Sequence, residues 1–434
     1  MARQFQLRPY QEQAADFLYE RDRAMVLAPV GAGKTAITLT AMDELLKDGH
    51  VKRWLVVAPK RVCTEVWPAE APKWSDITPA LAVGTPAQRA AALRSDASVV
   101  VINYDNLDKL DDLSGFDGIV FDELTRLKNP SGKRFKALEK LIAPIKVRWG
   151  LTGSFTSNGL EDVFGQCKII DQSLLGRAKG AFLQQYFICI NRDFGQWTPA
   201  AGALEQVMER IKPATFVLEP GEYKDKLPPC HVVEMRCDLD DRKPYEKMKR
   251  EYVVKFADDT VVALNAGAVT TKLQQMASGF VYGTDKQSIW YSDHKFDMLD
   301  ELLEGNQHVN TLIWYTYQEE LAELKRRYPH IHTSYDENVV ERWNAGKIQL
   351  LAAHPKSFGH GINLQGQQHM VFLSLPWSLE LYEQAVGRLH RGGQTKDVWV
   401  YILLTNKTID ERIWAALHDK RAISDIALGE LKNG

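Results

Sequence analysis

Gly31-Ala32-Gly33-Lys34-Thr35 sets two glycines, a lysine and a threonine where the chain leaves one apolar run and enters another. The run before it, RAMVLAP at 23–29, is short enough for a buried strand, and TAITLTAMDELLKD at 35–48 carries apolar residues at helical spacing. A strand, a glycine turn and a helix N-terminus together make an anion cradle. Gly31 and Gly33 let backbone N–H groups converge, the helix dipole favours negative charge, and Lys34 reaches phosphate oxygens. Thr35 offers a hydroxyl to Mg²⁺. Ala28 stands where the strict form of such a loop has its first glycine.

A second group complements the first. GIVFDELTRLK at 118–128 reads as a short apolar strand that delivers Asp122 and Glu123 at its carboxyl end, where parallel sheets place their ligands. Adjacent acids can divide the labour, Asp122 holding Mg²⁺ through water and Glu123 orienting and deprotonating the attacking water. Far downstream, Arg388 and Arg391 lie three residues apart at the end and exit of a helix predicted over 379–390. That spacing puts both guanidinium groups on one side, with Gln384 one turn earlier on the same face.

These residues need elements to hold them. Candidate strands RWLVVAP (53–59), ASVVVINY (97–104), GIVFDE (118–123) and VRWGLTG (147–153) alternate with helical segments, the pattern of a parallel sheet covered on both faces. The first lobe is therefore assigned to 1–154. From 155 to 285 helical stretches such as AGALEQVMERIK and RKPYEKMKREYVVKFADD dominate, broken by Glu219-Pro220-Gly221 and by LPP at 227–229. This region reads as a helical insertion and linker, with a strand near 230–238 returning to the first lobe. Strands TLIWYTY (311–317), IQLLAAHP (348–355), HMVFLSLP (369–376) and VWVYILL (398–404) then predict a second sheet of the same kind over 286–405. Residues 406–434 read as a final helix, with Ile409, Ile413, Leu417 and then Ile423 as its packing stripe.

Composition narrows the function classes. The 434 residues are 45% hydrophobic and 25% charged, ordinary globular material for two or three cored domains. A net charge of −2 argues against a protein that coats nucleic acid by overall basicity, so any such contact must be local. The one dense basic stretch, Arg126 to Arg148, holds Arg126, Lys128, Lys133, Arg134, Lys136, Lys140, Lys146 and Arg148 against the single acid Glu139. It is either a phosphate-binding surface beside the acids or a solvated helix face. Five cysteines with no CxxC spacing point to neither a disulfide framework nor a zinc site. No apolar run spans a bilayer and MARQFQLRPYQEQ has no signal-peptide core, which predicts no membrane association and a cytoplasmic protein. Trp67 and Trp74 read as core rather than as base-stacking platforms.

In order, LRPYQ (7–11), GAGKT, LVVAPK (55–60), DELT (122–125), LTGS (151–154), SFGHGINL (357–364) and QAVGRLHRGGQ (384–394) resemble the motifs of superfamily 2 helicases. The longer stretches LVVAPKRVCTEVWPAEAPKW, LPPCHVVEMRCDL and VWVYILLTNKTIDERIWAALHDK resemble the SNF2-like branch, so the resemblance spans nearly the whole chain. It implies an α/β fold of two tandem RecA-like parallel-sheet lobes, a short helical insertion and a C-terminal brace helix. It also implies ATP and Mg²⁺ as cofactors. In that frame Gln11 reads the adenine edge, Gly31, Gly33, Lys34 and Thr35 hold the phosphates, Gln384 lies near the nucleotide, and Arg388 and Arg391 stabilise the γ-phosphoryl group. Nucleic-acid contacts would come from Lys60, Arg61, Asn103, Tyr104, Gly359, Gly361 and Asn363, while LTGS would sense both ligands.

The chain departs from the family pattern in DELT, in FTSN at 155–158 and in GGQ at 392–394, and its insertions are short, like the compact bacterial and phage members. The implied activity is DNA-stimulated ATP hydrolysis driving monomeric translocation on duplex DNA with little sequence preference; no protein partner is implied. A strand-separating DNA or RNA helicase and an ATP-switched nucleic-acid loading factor use the same residues and remain open.

Overall fold

The computed structural model describes residues 6–156, 159–191, 195–218, 227–256, 259–263, 265–283, 287–334, 336–358 and 362–433. The chain divides into two units, Met1–Lys226 with Lys420–Gly434, and Leu227–Asp419.

The first unit contains β1 (Arg23–Leu27), β2 (Trp54–Ala58), β3 (Ala80–Ala82), β4 (Val99–Asn103), β5 (Gly118–Asp122) and β6 (Val147–Thr152). An antiparallel hairpin of β7 (Phe187–Asn191) and β8 (Gln196–Pro199) follows, then β9 (Thr215–Val217). All but the hairpin join one sheet in the order β3-β4-β2-β5-β6-β1-β9, and every pairing in it is parallel. β2, β4 and β5 are buried at every residue because helices cover both faces, which is why these strands read as unbroken apolar runs. Trp54 and Trp149 pack with ring centroids 4.6 Å apart, and a Cβ at Gly118 would lie 2.4 Å from the Trp54 ring. That close approach seats the start of β5, whose far end carries the acids.

The second unit begins with β10 (Cys230–Cys237). Two hairpins follow, β11 (Val253–Phe256) with β12 (Asp259–Val262) and β13 (Phe280–Tyr282) with β14 (Ser288–Trp290). Its main sheet adds β15 (Thr311–Trp314), β16 (His332–Thr333), β17 (Leu350–Ala353), β18 (His369–Phe372) and β19 (Val398–Thr405), in the order β10-β19-β18-β15-β17-β16, again all parallel. A buried ion pair anchors its last helix: Lys295 Nζ lies 2.7 Å from Asp410 Oδ2, with 0% and 2% exposed side chains. Lys295 also donates to Leu373 O at 3.1 Å, and Asp410 accepts from Thr405 N at 3.0 Å.

Each lobe therefore has the parallel α/β architecture expected of it. The strand expected near 230–238 does not return to the first lobe. It pairs along its full length with β19 in the second sheet, as an edge strand with one half-exposed face, and the strand that does return is the shorter β9. Nor is 155–285 a separate helical insertion: Phe164, Phe182, Val207 and Ile211 belong to the first unit's core, Tyr245, Met248, Leu273 and Met276 to the second's. The helix expected to run through 242–259 stops at Glu251, because Tyr252 takes a left-handed backbone (φ 60) and the β-branched Val253 and Val254 begin a strand. Glu219-Pro220-Gly221 lies outside the described residues.

The final helix, Ile409–Asn433, is 25 residues long. Ile409, Ile413 and Leu417 pack in the second unit's core, and Ala427 and Leu431 in the first unit's. Ile423 stands 38% exposed instead of extending the stripe; Ser424, buried, is the residue turned inward at that level. Among the described residues no helix is long and apolar enough to cross a membrane.

Candidate nucleotide site and catalytic acids

Parallel strands bring their carboxyl ends to one edge. Asp122 pairs with Leu151 of β6, and Leu151 pairs with Val26 of β1, so the acids and the loop after Leu27 sit two strand spacings apart, about 10 Å. In the loop, Gly31 and Gly33 have φ of 86° and 85°, a left-handed conformation that disfavours any Cβ. Gly33 caps the helix Lys34–Lys47, and Gln11 lies directly against it: a Cβ at Gly33 would be 2.2 Å from Gln11 Nε2. Gln11 is itself pinned, donating to Ala32 O at 3.0 Å and accepting from Arg8 N at 2.9 Å. Lys34 folds back over the loop, its Nζ donating to Ala28 O at 2.8 Å and to Pro29 O at 3.1 Å. The expected loop residues are thus assembled in one place, with Thr35 half-buried beside them.

Asp122 is buried, and desolvation followed by the charge of Glu123 pushes its carboxyl up to about 6. The opposing influences are the indole N–H of Trp67, 3.1 Å from Oδ2, the ammonium of Lys34 and the backbone N–H of Glu123. Trp67 is core, as expected, but it also holds this acid. Its orientation has a local cause. Pro68 has no N–H for Thr64 O, and the preceding turn Val62–Val66 widens to a π-helix in which Trp67 N bonds Val62 O. Glu123 breaks the strand with φ 63 and ψ 62. Tyr104 donates its hydroxyl to Asp122 O at 3.0 Å and to Glu123 O at 3.3 Å, and burial keeps that phenol protonated by moving its titration well up.

Among the described residues no three His, Cys, Asp or Glu side chains cluster as a self-sufficient metal cage. One buried carboxylate and one hydroxyl are the donor set that suits Mg²⁺ shared with substrate phosphates, because that ion keeps water and takes few protein ligands. Asp122 and Thr35 fit that part, and a cation there would reverse the upward shift at Asp122.

In the second unit the helix Leu379–Val386 ends before the arginines, earlier than the expected 390. Arg388 and Arg391 nevertheless converge, since both donate to Ile362 O, at 3.0 and 3.3 Å. Arg388 is 3% exposed and its Nε also donates to Gln384 O at 3.0 Å, whereas Arg391 is half-buried. Gln384 is buried on the same helix and donates to Glu380 at 3.2 Å. Gln394 closes the segment: its Nε2 meets Gln365 O, Gln367 O and Leu389 O, and its Oε1 accepts from Thr395 and Lys396.

Comparison with known proteins identifies the chain. The SNF2-related domain matches residues 10–290, and the helicase conserved C-terminal domain matches 294–393. The chain belongs to the SNF2-related family. With both domains present it is an ATP hydrolase of the helicase class. Putative protein p41 of Acyrthosiphon pisum secondary endosymbiont phage 1 is 36% identical, with 99% of each chain covered. The DNA repair and recombination protein RAD54-like of Gallus gallus is 24% identical over 98% of this chain and 68% of its own. The Sulfolobus solfataricus SWI2/SNF2 ATPase core in complex with dsDNA is 20% identical, covers 99% of this chain and 94% of its own, and has a TM-score of 0.47.

Within this SNF2 chain the expected nucleic-acid contacts separate. Lys60 is exposed and Arg61 half-buried at the end of β2. Asn103 and Tyr104 are 5% and 1% exposed, so their side chains offer no surface to a phosphate backbone; the apolar strand pattern continues through them into the core. Asn363 is half-buried and shapes a turn, accepting Gln365 N at 3.2 Å. Gly359 and Gly361 lie outside the described residues. Three of the eight basic residues are engaged within the protein: Lys128 pairs with Asp162 at 3.2 Å, Lys146 with Asp22 at 3.1 Å, and Arg148 donates to Ile142 O and Ile145 O. Arg126, Lys133, Lys136 and Lys140 are exposed. In the LTGS segment, Thr152 Oγ1 donates to Ser154 O at 2.8 Å, and Ser154 Oγ lies 3.1 Å from Ser424 Oγ.

Proposed function

We propose that this protein is a DNA-stimulated ATPase that translocates along duplex DNA. The observation that carries the reading is the shared sheet edge on which the Lys34 loop and the acids, buried Asp122 and half-exposed Glu123, stand two strands apart. ATP enters the loop with its phosphates against the N–H groups of residues 31–35, and Lys34 exchanges the carbonyls of Ala28 and Pro29 for phosphate oxygens. Mg²⁺, held by Thr35 and Asp122, would neutralise phosphate charge. Glu123 orients a water in line with the γ-phosphorus and takes its proton. Arg388 and Arg391 supply positive charge to the transferring group, Arg391 being the more accessible.

Membership of the family and the similarity to proteins named for DNA repair and recombination support DNA as the partner. Exposed Lys60 and Arg126, after the ends of β2 and β5, suit phosphate contact and hence weak sequence preference and strong salt dependence. The test measures ATP hydrolysis with duplex DNA, single-stranded DNA and RNA side by side, and with duplexes of increasing length. Stimulation by duplex that grows with length is expected. Preference for RNA, or unwinding of forked duplexes, would make the protein a strand-separating helicase; stimulation independent of length would make it a switch. Glu123→Gln should bind ATP and hydrolyse it only at a residual rate measurable in single turnover.

A further inference from the structure

Tyr104 opens the turn Tyr104–Lys109 at the end of β4, and β4 and β5 flank β2, so its phenol reaches across the end of β2 to the acids. At 1% exposure it is buried, with its ring beneath the guanidinium of Arg126 at 5.9 Å. What it meets is main chain: Asp122 O at 3.0 Å and Glu123 O at 3.3 Å. Glu123 is a residue with a Cβ in the left-handed region, φ 63, a conformation that persists only where the surroundings over-determine it. Two donors converge on its carbonyl, the Tyr104 hydroxyl and Arg126 N at 3.1 Å. Of these only the tyrosine comes from another strand. We propose that Tyr104 is a positioning residue for ATP hydrolysis: its hydroxyl holds the peptide that carries Glu123 in the left-handed conformation, and so fixes where that carboxylate stands.

This inference rests on Glu123 being the base proposed above. Tyr104→Phe keeps the ring in the core and beneath Arg126 and removes a single oxygen. The expected result is a drop in duplex-stimulated kcat of about tenfold, about 1.4 kcal/mol of barrier, with the KM for ATP and the Kd for duplex DNA unchanged. In single-turnover hydrolysis, adding Tyr104→Phe to Glu123→Gln should cost nothing further, because both changes act on one group. An unchanged kcat, a loss that adds in full to that of Glu123→Gln, or a weakened duplex Kd with kcat preserved would each overturn the assignment. A wild-type protein inactive on duplex DNA, or an active Glu123→Gln, rejects the functional reading itself. An inactive Glu123→Gln beside a fully active Tyr104→Phe rejects only the role of Tyr104.

Discussion

Arg388 and Arg391 share the carbonyl of Ile362, yet truncating them should cause different failures. Arg388 is 3% exposed and donates at 3.0 Å to both Ile362 O and Gln384 O, tying the end of one helix to the segment before Leu364. Hydrogen bonds from a charged donor contribute about 1.5–3 kcal/mol each. Arg388→Ala removes two of them and leaves a buried void, so a loss of at least about 3 kcal/mol is expected. For a unit of this size each kcal/mol moves the midpoint by about 2–4 °C, which predicts a fall of about 10 °C in the second unit's melting transition. Arg391 is half-buried and its contact with Ile362 O is longer, 3.3 Å, so Arg391→Ala should cost stability less than about 1 kcal/mol. Its cost falls on rate, about 10³–10⁵ if its charge meets the γ-phosphoryl group. Calorimetry on the whole chain and duplex-stimulated ATP hydrolysis separate the two effects. Equal melting curves for the two variants, or turnover within tenfold of wild type in Arg391→Ala, would refute the division.

Three further outcomes follow from named contacts. Lys295→Met strands the buried carboxylate of Asp410 and should destabilise the second unit by about 3–5 kcal/mol, while adding Asp410→Leu recovers much of the loss; a single variant that melts like wild type would sink this. His294 titrates near 6.5 when unfolded, but burial lowers it to about 4 in the fold, so the unfolded chain binds the proton preferentially between those values. Stability is therefore full above pH 6.5 and declines as pH falls towards 4, by up to about 3 kcal/mol; melting at pH 7 and pH 5 should show a steeper decline in wild type than in His294→Gln. Gly33→Ala combines a left-handed φ of 85 with a Cβ 2.2 Å from Gln11 Nε2, and should weaken ATP binding at least tenfold in a fluorescent-nucleotide titration. Retained affinity there would mean that the loop opens at little cost.

Much of the fold is readable in the sequence because parallel strands covered on both faces leave unbroken apolar runs. WLVVA, VVVIN and GIVFD are such runs, each followed by polar residues at the edge that holds the site. β9 and β16, three and two residues long, are too short to carry a period. β10 is legible as a strand but not as to partner, since its alternating burial states only that one face is open, and either sheet edge satisfies that. At the site, GAGKT and the acid pair declare themselves by residue type. Trp67 and Tyr104 do not: both read as ordinary aromatics, and their polar tips find partners 55 and 18 residues away that no local spacing reveals. Gln394 is similarly opaque, its amide gathering three carbonyls from a loop that comes earlier in the chain and a helix exit.

The acids themselves explain why those aromatics matter. In a continuing strand Asp122 and Glu123 would point to opposite faces of the sheet and act in separate environments. The left-handed backbone at Glu123 interrupts the alternation exactly where β5 ends, at a cost of about 1–2 kcal/mol for a residue with a Cβ. The carboxylates then remain close enough for the charge of Glu123 to raise Asp122, while burial separates their parts: Asp122 stays in the core on the indole of Trp67, and Glu123 stands half-exposed at the rim. A buried acid near pH 6 is a ready cation ligand, and an acid at the rim can meet water. In the reading proposed above, strain at the peptide between them gives two neighbouring acids two chemical roles, and the hydroxyl of Tyr104, bonded to both carbonyls, is the group that would hold it.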